Sequence, residues 1–319
     1  MVLEETFYPN EYAYDIRIEH GKKRHLQKPK FYPDQIIHHI LIELLQPRLR
    51  RRIDRHACAS IPVRGQKEAL RLLKKWVQRI GSKSGHKADC KYCLKCDIRH
   101  CFENIKPEII EHTFRDFIKD EKYMRLFNLV IYSTDSLPLG NYMSAWILNV
   151  MLKHMDNALQ QEPCVTHYLR YMDDFVLFSS NKRKLHQVRK IIENELERLE
   201  LSLKANWQLF PVKDRGVDMI GYRVFPNVTI LRKGNLGRIR RRAVKMSKRH
   251  YFTEHESQSM MSLLGQLRHC HAGNNYRFVG NLVNVNNLRK IISNASKERM
   301  NSNGHISKIS RQLEFLNGY

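Results

Sequence analysis

The 319 residues are 42% hydrophobic, enough for two or three packed subdomains and against wholesale disorder. Lys and Arg number 56 against 32 Asp and Glu, a net charge of +24 that points to a polyanionic partner. The basic residues are spread over several segments instead of one amphipathic helix, which favours nucleic acid over a membrane surface. The first twenty residues lack a basic-then-apolar leader. Apolar runs such as Ala145–Leu152 fall far short of the roughly 20 residues a bilayer requires. Seven cysteines, an odd number without an export signal, indicate reduced thiols and a cytoplasmic protein.

In chain order, apolar spacing predicts a helix within 33–56 that ends in a dense basic stretch. A second amphipathic helix spans 65–81, closed by Gly81. Residues 91–105 read as a strand running into a turn, and Pro107 opens a helix over 107–120. A Pro/Gly loop at 136–141 leads into a helix reaching 159. Strand, turn and strand follow over 164–180, then a long amphipathic helix from 182 to 201. Residues 217–233 read as a further hairpin, and the C-terminal remainder is helical and strongly basic. This order gives an α+β core between helical flanks.

The chemistry centres on Asp173 and Asp174, adjacent acids set between aromatic and β-branched runs that favour strands. An acidic pair at a hairpin turn is unremarkable by itself. A second strand ends at Asp97, with the aromatic Phe102 five residues beyond. If the two strands pair, three carboxylates converge, and such charge is tolerable with divalent cations bound. Hard oxygen ligands suit two Mg²⁺ ions, with Mn²⁺ as a substitute. A pair of such ions serves in-line nucleotidyl transfer, and the basic surface would then cradle a template and primer.

The segments Cys96–Phe102, Leu137–Ser144 and Tyr171–Asp174, in that order, resemble the reverse transcriptase family. Leu201–Pro211 is similar to its lysine-bearing motif, and Val217–Val224 to its primer-grip hairpin. The matches cover residues 60 to 230. The resemblance implies a right-hand polymerase with fingers over 1–88, palm over 89–229 and a helical basic thumb over 230–319. It implies an RNA-directed DNA polymerase acting on RNA template, DNA primer and dNTPs, in a bacterial or phage-encoded protein with no membrane partner. Asp97 and Asp173 would be the principal metal ligands and Asp174 the supporting acid. Phe102 would be the steric gate against a ribose 2′-hydroxyl, with ordinary core packing as the alternative. Lys204 would protonate or steady the leaving pyrophosphate, with a plain exposed lysine as the alternative. Arg64, and less directly Lys67, would meet the incoming triphosphate. Gly140 and Asn141 would let the loop backbone approach the nascent base pair. Arg232, Lys233, Arg238, Arg240, Arg241 and Arg242 would grip duplex backbone without reading sequence, or simply form a solvated helix face.

Leu139 stands where retroviral enzymes carry glutamine. The aliphatic choice is similar to the reverse transcriptases of diversity-generating retroelements, which copy adenines with reduced fidelity. Ala145, where that group usually has glutamine, departs from its pattern. Retron and phage-defence enzymes, using a dedicated non-coding RNA, therefore stay open, as does an accessory protein. An RNA-dependent RNA polymerase would usually carry glycine before the acidic pair. A non-catalytic nucleic-acid-binding subunit would gain nothing from clustered acids. The thumb would use up the C-terminus, leaving RNA removal and integration to other proteins. Cys90, Cys93, Cys96 and Cys101 have the spacing of a metal knuckle, but strand alternation would send Cys93 and Cys96 to opposite faces. Buried free thiols are the expectation.

Overall fold

The computed structural model describes residues 6–19, 22–78 and 89–299. Gly81, expected to close a helix, lies outside them. The chain divides into two compact units, Met1–Ile220 and Gly221–Tyr319.

The first unit opens with a feature the sequence reading passed over, a hairpin of β1 (Ala13–Glu19) and β2 (Lys22–Lys28). Helices α1 (Ile36–Arg52) and α2 (Gln66–Gln78) follow, within the two predicted windows. Next come β3 (Tyr92–Asp97), the short α3 (Cys101–Asn104), α4 (Pro107–Phe114) and α5 (Glu121–Ile131). The single helix expected over 107–120 is thus shorter. The chain turns after Phe114, and the Asp120 carboxylate accepts from the Tyr123 N–H to start α5 anew. The helix expected to reach 159 is likewise two, α6 (Tyr142–Met151) and α7 (Lys153–Gln161), broken at Leu152. Asn141 caps α6 by accepting from the Met143 N–H. The unit finishes with β4 (His167–Tyr171), β5 (Asp174–Ser179), α8 (Lys182–Glu197), β6 (Gln208–Pro211), α9 (Val212–Arg215) and β7 (Val217–Met219).

Antiparallel pairing orders the central sheet β4-β5-β3-β6. Alternation along β5 decides which residue faces where. Phe175 and Leu177 join the main core with Leu185, Val188 and Ile192 of α8. Val176 and Phe178 line the other face, where the Trp76 ring of α2 lies 6.3 Å from Phe178 and 4.8 Å from His167. All four β5 residues are fully buried, so this strand is covered on both sides. Burying each such side chain stabilises the sheet by about 1.5–3 kcal/mol. The cysteines follow the same alternation: Cys96 belongs to the main core and Cys93 does not, and Cys90, Cys93, Cys96 and Cys101 are all buried.

The second unit contains β8 (Tyr222–Val224) paired with β9 (Thr229–Leu231), then α10 (Lys233–Ser247), α11 (Glu254–Leu267) and α12 (Gly273–Leu282). A capping box of Thr253 and Glu256 starts α11. Ile239, Ala243 and Met246 form the buried stripe of α10 at helical spacing. No helix of the described residues is long and apolar enough to cross a membrane.

Candidate active site

The register of β3 against β5 pairs Asp97 directly with Asp174. Directly opposed residues share a face, with Cβ atoms about 4.5–5.5 Å apart. Both acids therefore continue the row of Lys95, Val176 and Phe178. The β4–β5 ladder closes at Tyr171 and Asp174, so the turn consists of Met172 and Asp173. The sequence placed both acids in the turn, whereas Asp174 is the first residue of β5. Met172 has φ of +58°, a conformation that primed hairpin turns require and that L-residues seldom adopt. The Asp173 carbonyl accepts from the Ile98 N–H at 3.2 Å, which ties the turn to the end of β3.

Electrostatics at this point run against the acids. Burial, and next the charge of Asp97, raise the Asp173 carboxyl above the usual range. Burial raises Asp174 to about 6, with Lys95 pulling the other way. Two ammonium groups stand beside the carboxylates. Lys204 Nζ donates to Asp97 Oδ1 at 2.5 Å, and Lys95 Nζ lies 3.4 Å from Asp174 Oδ2. Backbone pairing delivers Lys204: its N–H donates to the Asp97 carbonyl at 2.9 Å, and the Arg99 N–H donates to Ser202 at 2.8 Å.

The three acids as they stand are not a closed cage. Among the described residues no three His, Cys, Asp or Glu side chains converge closely enough to hold a metal ion. Asp97 and Asp174 are each paired with a lysine. The donor set nevertheless fits a hard divalent cation, because it is all carboxylate oxygen. Asp174 Oδ1 adds a buried acceptor with no hydrogen-bond partner.

A cleft of about 390 Å³ is lined by Phe102, Leu139, Gly140, Asn141 and Met172, among others. Phe102 is partly buried and also packs on the main core, so its gate and core readings are both compatible with its place. Gly140 has φ of +107°, and a Cβ there would lie 3.6 Å from the Gln27 carbonyl. The Gln27 N–H donates to Leu139 at 3.0 Å, so β2 forms a wall against this loop.

Arg64 and Lys67 do not line the cleft. The Arg64 guanidinium donates to the carbonyls of Asp54 and, at 3.2 Å, Ala57, holding its own loop together. Lys67 is exposed on the first turn of α2. Two cations that sequence reasoning missed bear on the acids instead. One is Lys95, whose signal was its i, i+2 spacing from Asp97 on one strand. The other is Arg24 on β2, whose charge eases ionisation of Asp173. Its signal was the alternation of Tyr14, Ile16 and Ile18 followed by a basic strand. In the second unit, Arg232, Lys233, Arg238, Arg240 and Arg241 are exposed and Arg242 is half-buried. Arg240 donates to Asn275 at 2.7 Å and lies over the Phe278 ring.

Comparison with solved structures finds apo telomerase from Candida tropicalis at a TM-score of 0.56 and 13% identity, covering 80% of this chain and 51% of that one. Telomerase from the same organism with a TWJ fragment of telomeric RNA gives 0.53 and 12%, covering 81% and 53%. The corresponding Candida albicans complex gives 0.51 and 10%, covering 86% and 55%. The chain thus spans about half the length of these proteins, and the likeness is one of fold. A comparison with curated proteins gives no match. The sequence profile of the reverse transcriptase (RNA-dependent DNA polymerase) family matches residues 33–224, which include the paired acids, the cleft loop and Lys204. The chain belongs to the reverse transcriptase family.

Proposed function

We propose that this protein synthesises DNA on an RNA template by metal-assisted nucleotidyl transfer, with Asp97, Asp173 and Asp174 holding the ions. The observation that carries the reading is the Asp97–Asp174 cross-strand pair with Asp173 beside it and half-buried. Bound divalent ions would offset the charge of the three carboxylates and make a primer 3′-hydroxyl a better nucleophile. The chain's own part is positioning. The sheet register fixes Asp97 against Asp174, and the Ile98–Asp173 hydrogen bond fixes the turn. Phe102 stands where a ring would crowd a ribose 2′-hydroxyl, and the Leu139–Asn141 backbone forms the wall for the nascent pair. Lys204, on release from Asp97, carries at Nζ a proton that a leaving pyrophosphate oxygen needs. Arg24, Arg64 and Lys67 supply positive charge for a triphosphate.

Fingers, palm and thumb correspond in this reading to 1–88, 89–229 and 230–319, with the basic face of α10 gripping phosphates. Leu139 at the cleft supports a mutagenic, retroelement-type role with reduced fidelity at adenines. RNA as the template agrees with fold neighbours solved with telomeric RNA. The test is Mg²⁺-dependent dNTP incorporation on a primed RNA template. Asp173→Ala should lower it by about 10²–10³-fold or more, and equal incorporation by both proteins overturns the assignment. Sequencing the products of adenine-rich templates tests the role of Leu139, and clean copying removes it.

A further inference from the structure

Among the described residues, the one arginine wholly buried lies two residues before the turn of the acidic hairpin. Arg170 and Asp156 are both 0% exposed. Arg170 Nε donates to Asp156 Oδ1 at 2.8 Å and Nη2 to Oδ2 at 2.6 Å, a two-pronged pair between β4 and α7. Tyr168 Oη donates to Asp156 Oδ1 at 2.6 Å. A buried ion pair by itself is weak support for anything beyond stability, because desolvation offsets most of its attraction. Arg170, however, has a remaining nitrogen, and that nitrogen reaches further. Nη1 donates to Asn149 Oδ1 at 3.0 Å and to the Met172 carbonyl at 3.2 Å.

Met172 is the turn residue with positive φ, and its carbonyl belongs to the peptide that leads into Asp173. A left-handed methionine costs on the order of 1–3 kcal/mol and persists where its surroundings over-determine it. The same network extends to a cleft wall. Asn149 Nδ2 donates to the Ala59 carbonyl at 3.0 Å, and the Cys58 N–H donates to the Arg170 carbonyl at 2.9 Å. The next residue, Ser60, lines the cleft with Met172 and also has a positive φ, +56°.

We propose that Arg170 is a positioning residue: through Nη1 it fixes the Met172 peptide, and so the direction in which Asp173 leaves the turn, while Asp156 and Asn149 hold the guanidinium in place. The proposal rests on the polymerase reading for its catalytic consequence, but the positioning itself is a statement about the turn. Lysine keeps a charge for Asp156 yet lacks the planar fork needed for Asp156, Asn149 and Met172 together. Arg170→Lys should therefore release the turn. Tyr168→Phe serves as the comparison, since it removes one buried hydrogen bond from Asp156 and leaves the Arg170–Met172 bond intact.

The turn is read directly by NMR of protein carrying ¹³C-methyl methionine, with the Met172 signal assigned by Met172→Leu. In Arg170→Lys the Met172 methyl signal should shift or broaden while the buried Met124 and Met219 signals hold, and in Tyr168→Phe it should not. In primer extension Arg170→Lys should lower kcat by about 100-fold, the scale of an ångström of misplacement, with KM for dNTP changed by less than about threefold. Tyr168→Phe should keep kcat within about threefold despite a comparable drop in Tm. An unmoved Met172 signal in Arg170→Lys overturns the proposal. So does a kcat that falls equally in both variants, in proportion to Tm. Failure of the polymerase reading is recognised separately, by wild-type protein that incorporates no dNTP, and the Met172 signal then still decides the positioning.

Discussion

Two residues at the cleft carry predictions of different kinds. Phe102 is partly buried, packing on the core and lining the cleft, and in the proposed reading its truncation opens space for a 2′-hydroxyl. Phe102→Ala should raise ribonucleotide over deoxynucleotide incorporation by about 10–200-fold, the worth of a pocket group. Competition between rNTP and dNTP on one primer reads that ratio, and an unchanged ratio makes Phe102 a core residue only. His38 lines the same cleft and is buried. Burial lowers it from 6.5 to about 4. The unfolded chain therefore takes up a proton between pH 6.5 and about 4 that the folded chain refuses. The stability tied to neutral His38 is intact above pH 6.5 and falls through that window, by about 2 kcal/mol at pH 5. Urea unfolding of wild type and His38→Leu at pH 7.5 and pH 5 checks this, and the variant should show the smaller loss on acidification. His38 carried no signal in the sequence, because one histidine on a helix looks alike whether it is buried or wet.

Among the elements, the cleft loop and β2 depend on each other. Gly140 has a positive φ, and its neighbour Leu139 accepts from the Gln27 N–H. The Cβ of Gly140→Ala would fit at 3.6 Å from the Gln27 carbonyl, so the cost is one of backbone conformation, about 1–2 kcal/mol. Chemical unfolding should show that loss, and primer extension should show a raised KM for dNTP, since this loop walls the cleft. Unchanged stability would mean the loop readily adopts another conformation. The Pro/Gly loop was legible in the sequence as a loop, with Gly140 marked for close backbone approach. What it approaches was not legible, because β1 and β2 lie more than 100 residues away in the chain. Helix ends were misjudged for a related reason. The strand of hydrophobic spacing through 107–120 looked continuous, and only the Asp120 cap shows where α5 begins afresh.

For the whole molecule, the +24 charge predicts binding to nucleic acid that weakens steeply with salt. Affinity for an RNA–DNA hybrid should drop by about 10³-fold or more between 50 and 200 mM salt if six or more phosphates are contacted. Replacing Arg238 and Arg241, both exposed on α10, with Gln should reduce the slope of log K against log salt by roughly 1 to 2. Fluorescence anisotropy over a salt series measures both, and an unchanged slope would take α10 out of the interface.

Local pattern by itself determined the strands around Asp97 and Asp173–Asp174, the amphipathic helices, the basic C-terminal part and the family, because each rests on residue types at short spacing. Tertiary structure decided the rest. Asp97 faces Asp174 because β3 and β5 pair in one register, and a shift of one residue would turn the acids to opposite faces. The lysines on those acids, the hold of Arg64 on its own loop, and the link from Arg170 to Met172 are long-range or rotameric contacts. Periodicity set Lys95 and Asp97 on one face of a strand but encoded none of the pairings, since a side chain's partner is fixed only when the chain is packed.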